Sequence, residues 1–252
     1  MDGEALTDAA FARRIAEVAG ELLLTLRGSG LFEGKALGRA GDRVANAFLI
    51  EALADARPDD AVLSEEEADD PARCLASRVW IVDPLDGTRE YSEGRDDWAV
   101  HVALAVDGKP RVGAVALPGL GQTLSSASPP PPLPPRAGRT PRLLVSRSRP
   151  AAQALAVAER LGAETVAMGS AGAKAMAVVR GEADIYLHAG GQYEWDNCAP
   201  VAVAQAAGLH ASRLDGSPLT YNHANPWLPD LLICRKDDAG PILALLRELP
   251  GA

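Results

Sequence analysis

Val79-Trp80-Ile81-Val82-Asp83-Pro84-Leu85-Asp86-Gly87-Thr88 joins a run of β-branched and aromatic residues directly to a polar turn. The first four residues, with Arg78 before them, read as a buried strand. Pro84 fixes its own φ and turns the chain. Asp83 and Asp86 can then face one spot, with the Leu85 carbonyl between them. That all-oxygen set suits a hard cation such as Mg²⁺. Gly87 lets backbone approach a ligand closely, and Thr88 adds a hydroxyl and exposed N–H groups suited to phosphate. Taken alone, the segment also reads as a solvated Asp-Gly turn. The spacing excludes a haloacid-type aspartyl nucleophile, whose acidic residues lie two apart, and an EF-hand loop.

Outward from this stretch, residues 8–27 read as an amphipathic helix, with Phe11, Ile15, Val18, Leu22 and Leu26 on one face. A second helix is expected from near Asp42 to Arg57, with Val44, Phe48, Leu49 and Ala52 facing inward. Residues 61–63 read as a strand. Residues 98–106 and 111–117 read as a hairpin around Asp107-Gly108, a dipeptide that tolerates the positive φ angles of a tight turn. Residues 125–141 are low-complexity, with six prolines among the seven residues 129–135, and read as a surface connector. Beyond it strands alternate with helices: 143–145, 151–161, 165–168, 171–180, 183–187, 196–207, 231–234 and 241–249. The fold class is therefore α/β, with an α+β N-terminal half (1–124) and an α/β C-terminal half (142–252) joined by 125–141. The chain is read as a single domain, 1–252.

Composition narrows the function. Of 252 residues, 25 are Lys or Arg and 34 are Asp or Glu, a net charge of −9. That excludes a general nucleic-acid-binding footprint, and a phosphate ester then needs screening cations, for which metal ions suffice. Cys74, Cys198 and Cys234 are widely spaced and read as unpaired thiols of a reducing compartment. No run approaches about 18 apolar residues, so no membrane span is expected. The first ten residues lack the basic and apolar regions of a secretory leader, and the expected location is the cytoplasm.

Two further acidic pieces bear on the first. Ser64-Glu65-Glu66-Glu67 follows the strand at 61–63, at the sheet edge where α/β sites gather. Glu67, Asp69 and Asp70 read as solvated charge, and Glu65 and Glu66 are left open. Glu194-Trp195-Asp196 opens a helix, where Asp196 is either an N-cap or a metal ligand. His101, His188, His210 and His223 lack metal-ligand spacing to one another and read as structural. Cys198 reads as a packing thiol.

In this order, Ser64-Glu65-Glu66, Asp83-Pro84-Leu85-Asp86-Gly87-Thr88 and Trp195-Asp196 with Ala199-Pro200 resemble the signature of the inositol monophosphatase superfamily, Mg²⁺-dependent and lithium-sensitive phosphatases. The similarity runs from the first helix to the last strand. GRDDWAVH, GSAGAKAMAV, YLHAGGQYEWD and HASRLDGSPL resemble its actinobacterial CysQ branch, 3'(2'),5'-bisphosphate nucleotidases. The resemblance implies the layered αβαβα sandwich shared with fructose bisphosphatases, and conversion of 3'-phosphoadenosine 5'-phosphate to AMP and phosphate, a reaction linked to sulfate assimilation. Inositol monophosphate and fructose 1,6-bisphosphate are the alternative substrates. It also implies a homodimer, with no nucleic-acid polymer and no membrane as partner.

By the same resemblance, Glu65, Asp83 and the Leu85 carbonyl hold one Mg²⁺, and Asp83, Asp86 and Asp196 hold a second. Gly87 and Thr88 N–H groups bind the departing phosphate. The Thr88 hydroxyl, paired with Asp42, orients the attacking water, so Glu65, Asp42 and Thr88 are the expected catalytic residues. Gly169, Ser170, Ala171, Lys174 and Glu194 are expected against the rest of the substrate. The segment Leu37-Gly38-Arg39-Ala40-Gly41-Asp42 departs from the family's usual VTxAD pattern, which leaves a third metal near Asp42 open. Paired cations suit this chemistry, because phosphate monoesters hydrolyse very slowly unaided and the loose transition state gathers charge on its oxygens. From another class, a non-catalytic metal- or nucleotide-binding regulator would have little need of all four carboxylates.

Overall fold

The computed structural model describes residues 6–249. The reading of the extreme N-terminus falls partly on residues 1–5, outside those described. Chain order is α1 (Asp8–Gly28), α2 (Gly34–Ala56), β1 (Ala61–Ser64), β2 (Arg78–Asp86), α3 (Thr88–Ser92), β3 (Ala99–Val106), β4 (Lys109–Leu117), β5 (Gln122–Ser125), β6 (Arg142–Ser146), α4 (Ala152–Leu161), β7 (Glu164–Met168), α5 (Ala171–Val179), β8 (Ile185–Tyr193), α6 (Glu194–Ala206), β9 (His210–Ser212), β10 (Trp227–Cys234) and α7 (Lys236–Glu248). A 3₁₀ turn at Pro71–Leu75 follows the acidic loop after β1.

Two five-stranded sheets, ordered β1-β2-β3-β4-β5 and β7-β6-β8-β10-β9, set the layers. One apolar cluster joins α1 and α2 to the outer face of the first sheet, including Phe11, Leu49, Trp80 and Trp98. A second, including Ile81, Val115, Met176, Val201 and Ile233, fills the space between the sheets around α5 and α6. A third packs α4 and α7 on the far face of the second sheet. The order is α–β–α–β–α, the sandwich that the resemblance implies. The second sheet differs from an all-parallel α/β layer: β6 pairs in parallel with β7 and β8, but β10 runs antiparallel to β8 and β9.

The hairpin forms as read, with Asp107 at φ 49° and Gly108 at φ 69°. The second helix starts eight residues before Asp42. Its early glycines weaken helix propensity in isolation but make room here. A Cβ on Gly38 would lie 2.8 Å from Thr88 Cγ2, and one on Gly41 would lie 2.9 Å from Leu85 Cδ2. The glycine face of α2 thus seats directly on the turn after β2, and tertiary contact overrides propensity. The inward face also shifts: Leu37, Ala45, Leu49 and Leu53 are buried, while Val44 is exposed. The segment 126–141 has no regular structure, but it is not loose. Arg139 donates to Asp184 at 2.8 and 2.9 Å, and Arg235 donates to the Pro134 carbonyl at 2.7 Å.

Candidate active site

The site begins with a defect in β2. Residues three apart on a regular strand face opposite sides. Asp83 pairs with His101 but Asp86 pairs with Ala99, so three steps on β2 match two on β3. This bulge at Pro84-Leu85 absorbs one residue and turns both aspartates to the same side. Proline is tolerated there because a bulged position donates no ladder hydrogen bond. Gly87 follows at φ 87°, a left-handed conformation costly for any other residue, and starts α3.

Three other elements converge on the bulge. β1 runs parallel to β2 with Ser64 opposite Val82, so Glu65 leaves the sheet beside Asp83. Its carboxyl is close enough to Asp196, Asp83 and Asp86 to feel their charge. The first turn of α6 brings Asp196, whose Oδ2 accepts the Tyr193 N–H at 2.6 Å. One carboxylate oxygen from each of Asp83, Asp86 and Asp196 lies within 4.8 Å of the others. α2 brings Asp42, whose Oδ1 lies 3.1 Å from Thr88 Oγ1; that hydroxyl is also 3.1 Å from the Leu85 carbonyl.

The electrostatics follow from this crowding. Burial, then the charges of Glu65, Asp86 and Asp196, push the Asp83 carboxyl well above its ordinary value. Desolvation of its carboxyl in the cleft, then Asp196, raise Glu65 to about 7, although the residue as a whole is exposed. Burial and Asp86 raise Asp196 to about 6. Burial and Glu66 raise Asp42 to about 6. Asp86 runs the other way: burial alone would raise it, but His101, Ser170 and the Gly172 N–H outweigh burial and hold it at about 2. Negative charge is thus gathered beyond what the surrounding side chains neutralise. All-oxygen donors with that surplus fit one or more hard divalent cations.

Asp86 is anchored by the N-terminus of α5. Its Oδ1 accepts the Ala171 N–H at 3.1 Å; its Oδ2 accepts the Gly172 N–H at 2.6 Å and the Ser170 hydroxyl. The Gly169 N–H goes to Asp97 at 2.7 Å. Lys174 is buried behind this turn, its Nζ donating to the Gly169 carbonyl at 3.0 Å and to the Ser170 carbonyl. The polar groups expected to meet substrate at 169–171 are therefore spent on holding the site wall, while Lys174 uses two of its three N–H donors there. What this turn offers a ligand is its surface. Gly169, Ser170 and Lys174 line a cavity of about 530 Å³ with Ser146, Arg147, Ser148 and Arg149. Arg147 is committed to Glu90 and Glu93 at 2.8 Å each. Among the described residues Arg149 forms no ion pair.

Glu194 departs from expectation. It is fully buried and accepts the Asn222 N–H at 2.7 Å, the His223 N–H at 2.8 Å and His223 Nδ1 at 2.7 Å. A substrate contact is closed to it in this arrangement, because it is fully buried and both oxygens are engaged inside the fold. It ties the segment at 222–223 to α6, and Arg73 in turn donates to Asn222 Oδ1 at 2.9 Å and to the His223 carbonyl at 3.0 Å. Glu67, read as solvated, accepts from Asn46 Nδ2 at 2.6 Å, which braces the acidic loop against α2.

His101, a structural residue by its spacing, sits at 0% exposure with Nε2 3.2 Å from Asp86 Oδ2. The available signal was a lone polar residue inside Ala99–Val106, an otherwise apolar buried strand, where it must have a partner. Cys198 agrees with its reading: burial raises its thiol well above the ordinary range, the opposite of an activated nucleophile. The three cysteines are unpaired. No helix among the described residues is long and apolar enough to cross a membrane.

Comparison with known proteins agrees with this geometry. The family model described as "Inositol monophosphatase family" matches residues 7–130 and 137–247, leaving out part of the proline-rich segment. A Mycobacterium leprae protein named 3'-phosphoadenosine 5'-phosphate phosphatase is 51% identical over 97% of this chain and 95% of its own. The Escherichia coli 3'(2'),5'-bisphosphate nucleotidase CysQ is 33% identical over 75% of this chain and 81% of its own. The crystal structure of inositol monophosphatase II from Staphylococcus aureus superposes with a TM-score of 0.78 at 20% identity, covering 94% of this chain and 92% of that one. With bulge, carboxylates and sandwich in place and the family model matching both halves, the chain belongs to the inositol monophosphatase family.

Proposed function

We propose that this protein is a cytoplasmic Mg²⁺-dependent phosphatase that hydrolyses 3'-phosphoadenosine 5'-phosphate to AMP and phosphate, with water as nucleophile, in connection with sulfate assimilation. The observation that carries the reading is the meeting of Asp83, Asp86 and Asp196 from two distant elements, in a chain half identical to a phosphatase of that name along nearly its whole length. One apolar cluster drawing on both sheets supports treating 1–252 as one catalytic unit.

Glu65, Asp83, the Leu85 carbonyl, Asp86 and Asp196 would hold two Mg²⁺, and a third, weaker position beside Asp42 is left open. When bound, divalent cations lower the pKa of water and offset charge building on the phosphoryl oxygens. The chain's own residues do the rest. Thr88 Oγ1 donates its proton to Asp42 and keeps lone pairs to orient a water. A carboxyl raised to about 6 is matched to taking a proton from that water near neutral pH. The Gly87 and Thr88 N–H groups, at the start of α3, lie beside the acidic cluster where the phosphate would sit. The cavity beside Ser170 takes the rest of the substrate, with Arg149 facing its anionic part.

Steady-state comparison of three esters at saturating Mg²⁺ tests the reading. We expect kcat/KM for 3'-phosphoadenosine 5'-phosphate to exceed that for myo-inositol 1-phosphate and fructose 1,6-bisphosphate by at least about tenfold. A preference of that size for inositol phosphate contradicts the nucleotidase assignment. Absence of Mg²⁺-dependent phosphate release from all three favours the non-catalytic regulator.

A further inference from the structure

His101 lies where four elements meet. It stands on β3, opposite Asp83 in the β2–β3 register, with the start of α5 and the first turn of α6 packed against it. Its Nδ1 is 2.9 Å from the Trp195 carbonyl, which only accepts, so Nδ1 carries a proton. Its Nε2 faces Asp86 Oδ2 at 3.2 Å, an ion-pair contact rather than an aligned hydrogen bond. The fit is tight: a Cβ on Gly172 would lie 2.1 Å from Nε2.

The two Asp86 oxygens are treated unequally. Oδ2 takes the Ser170 hydroxyl, the Gly172 N–H and the imidazole edge, while Oδ1 takes only the Ala171 N–H. A carboxylate oxygen offers about two lone-pair directions. Oδ2 is filled by the protein, and Oδ1 retains one. At its other end His101 grips the carbonyl of the residue directly before Asp196.

We propose that His101 is a positioning residue: it binds Asp86 Oδ2, ties it to the first turn of α6, and so leaves Asp86 Oδ1 in register with Asp196 for a divalent cation. The proposal rests on the reading that these carboxylates hold such a cation. It concerns orientation of the ligands, and His101 itself touches neither substrate nor cation.

Mn²⁺ titration of metal-stripped protein by calorimetry tests it, alongside thermal melts without metal. His101→Leu fills the space without either contact, and Mn²⁺ affinity is expected to fall by roughly 10–100-fold. His101→Gln keeps only the Asp86 contact and is expected to lose about 3–10-fold, whereas His101→Asn keeps only the Trp195 contact and is expected to behave like the leucine variant. A merely structural histidine would lower the melting temperature in all three without separating Gln from Asn in metal affinity. Wild-type affinity in the leucine and asparagine variants overturns the proposal. If the leucine variant does not fold, equal affinity of the asparagine and glutamine variants does so. Failure of wild type itself to bind Mn²⁺ removes the cation reading, and the proposal with it.

Discussion

Asp83→Asn leaves a folded protein whose turnover has fallen by at least about 10³-fold and whose divalent-cation affinity is sharply weakened. Asp83 is 1% exposed and feels the charges of Glu65, Asp86 and Asp196. An amide keeps its shape and can still accept the Leu85 N–H, which the carboxylate Oδ1 accepts at 3.0 Å. The local turn is therefore preserved while one negative charge and one oxygen donor are lost. Because burial and then like charges hold the carboxyl above its ordinary range, the metal-free variant should melt at a higher temperature than wild type at pH 8. Activity assays and paired melts check both halves. Near-normal kcat contradicts the placement of Asp83 at the centre of the cluster.

Metal-free wild type is expected to lose stability as pH rises from about 5 to 8, and Mg²⁺ is expected to abolish most of that slope. Glu65, held at about 7, and Asp196 and Asp42, held at about 6, keep protons in the folded state that the unfolded chain has already released. Where the folded state binds more protons, stability falls with rising pH. The contribution is intact below the ordinary carboxylate range and is lost as pH passes through 6 and 7. Asp86, held at about 2, works in the opposite sense, and its contribution disappears only as pH falls toward 2. At 100 times its dissociation constant, a ligand bound only by the folded state adds about 2.7 kcal/mol. For a chain of this size that corresponds to a rise in Tm of about 5–10 °C. Melts in EDTA and in Mg²⁺ at four pH values measure it; identical slopes in both contradict the idea that cations relieve the crowding.

The two aspartates at the end of β2 could be found in the linear chain because strand, proline and turn residues are contiguous there. What made them converge could not, since an odd spacing becomes a shared face only through a register shift against β3. The start of α2 was hidden for a related reason. Gly34, Gly38 and Gly41 argue against a helix locally, and only the approach of Thr88 and Leu85 explains the last two. Glu194 and the residues at 169–174 mislead in the other direction. Their chemistry suits a ligand, but the partners that absorb it, His223, Asn222, Asp97 and Asp86, lie far off in sequence. His101 offered a single polar letter in an apolar strand, enough to demand a partner but not to name one. The layered architecture was more accessible, because alternating elements with apolar faces pack in few ways. The antiparallel placement of β9 and β10 depends on long connections that periodicity does not report.

The central claim is that Asp83, Asp86 and Asp196 enclose a divalent cation. Anomalous scattering from crystals soaked in Mn²⁺ measures this directly. The account predicts a strong peak bounded by those three side chains, with Asp86 presenting Oδ1. No peak there, with the three carboxylates turned apart, would contradict it.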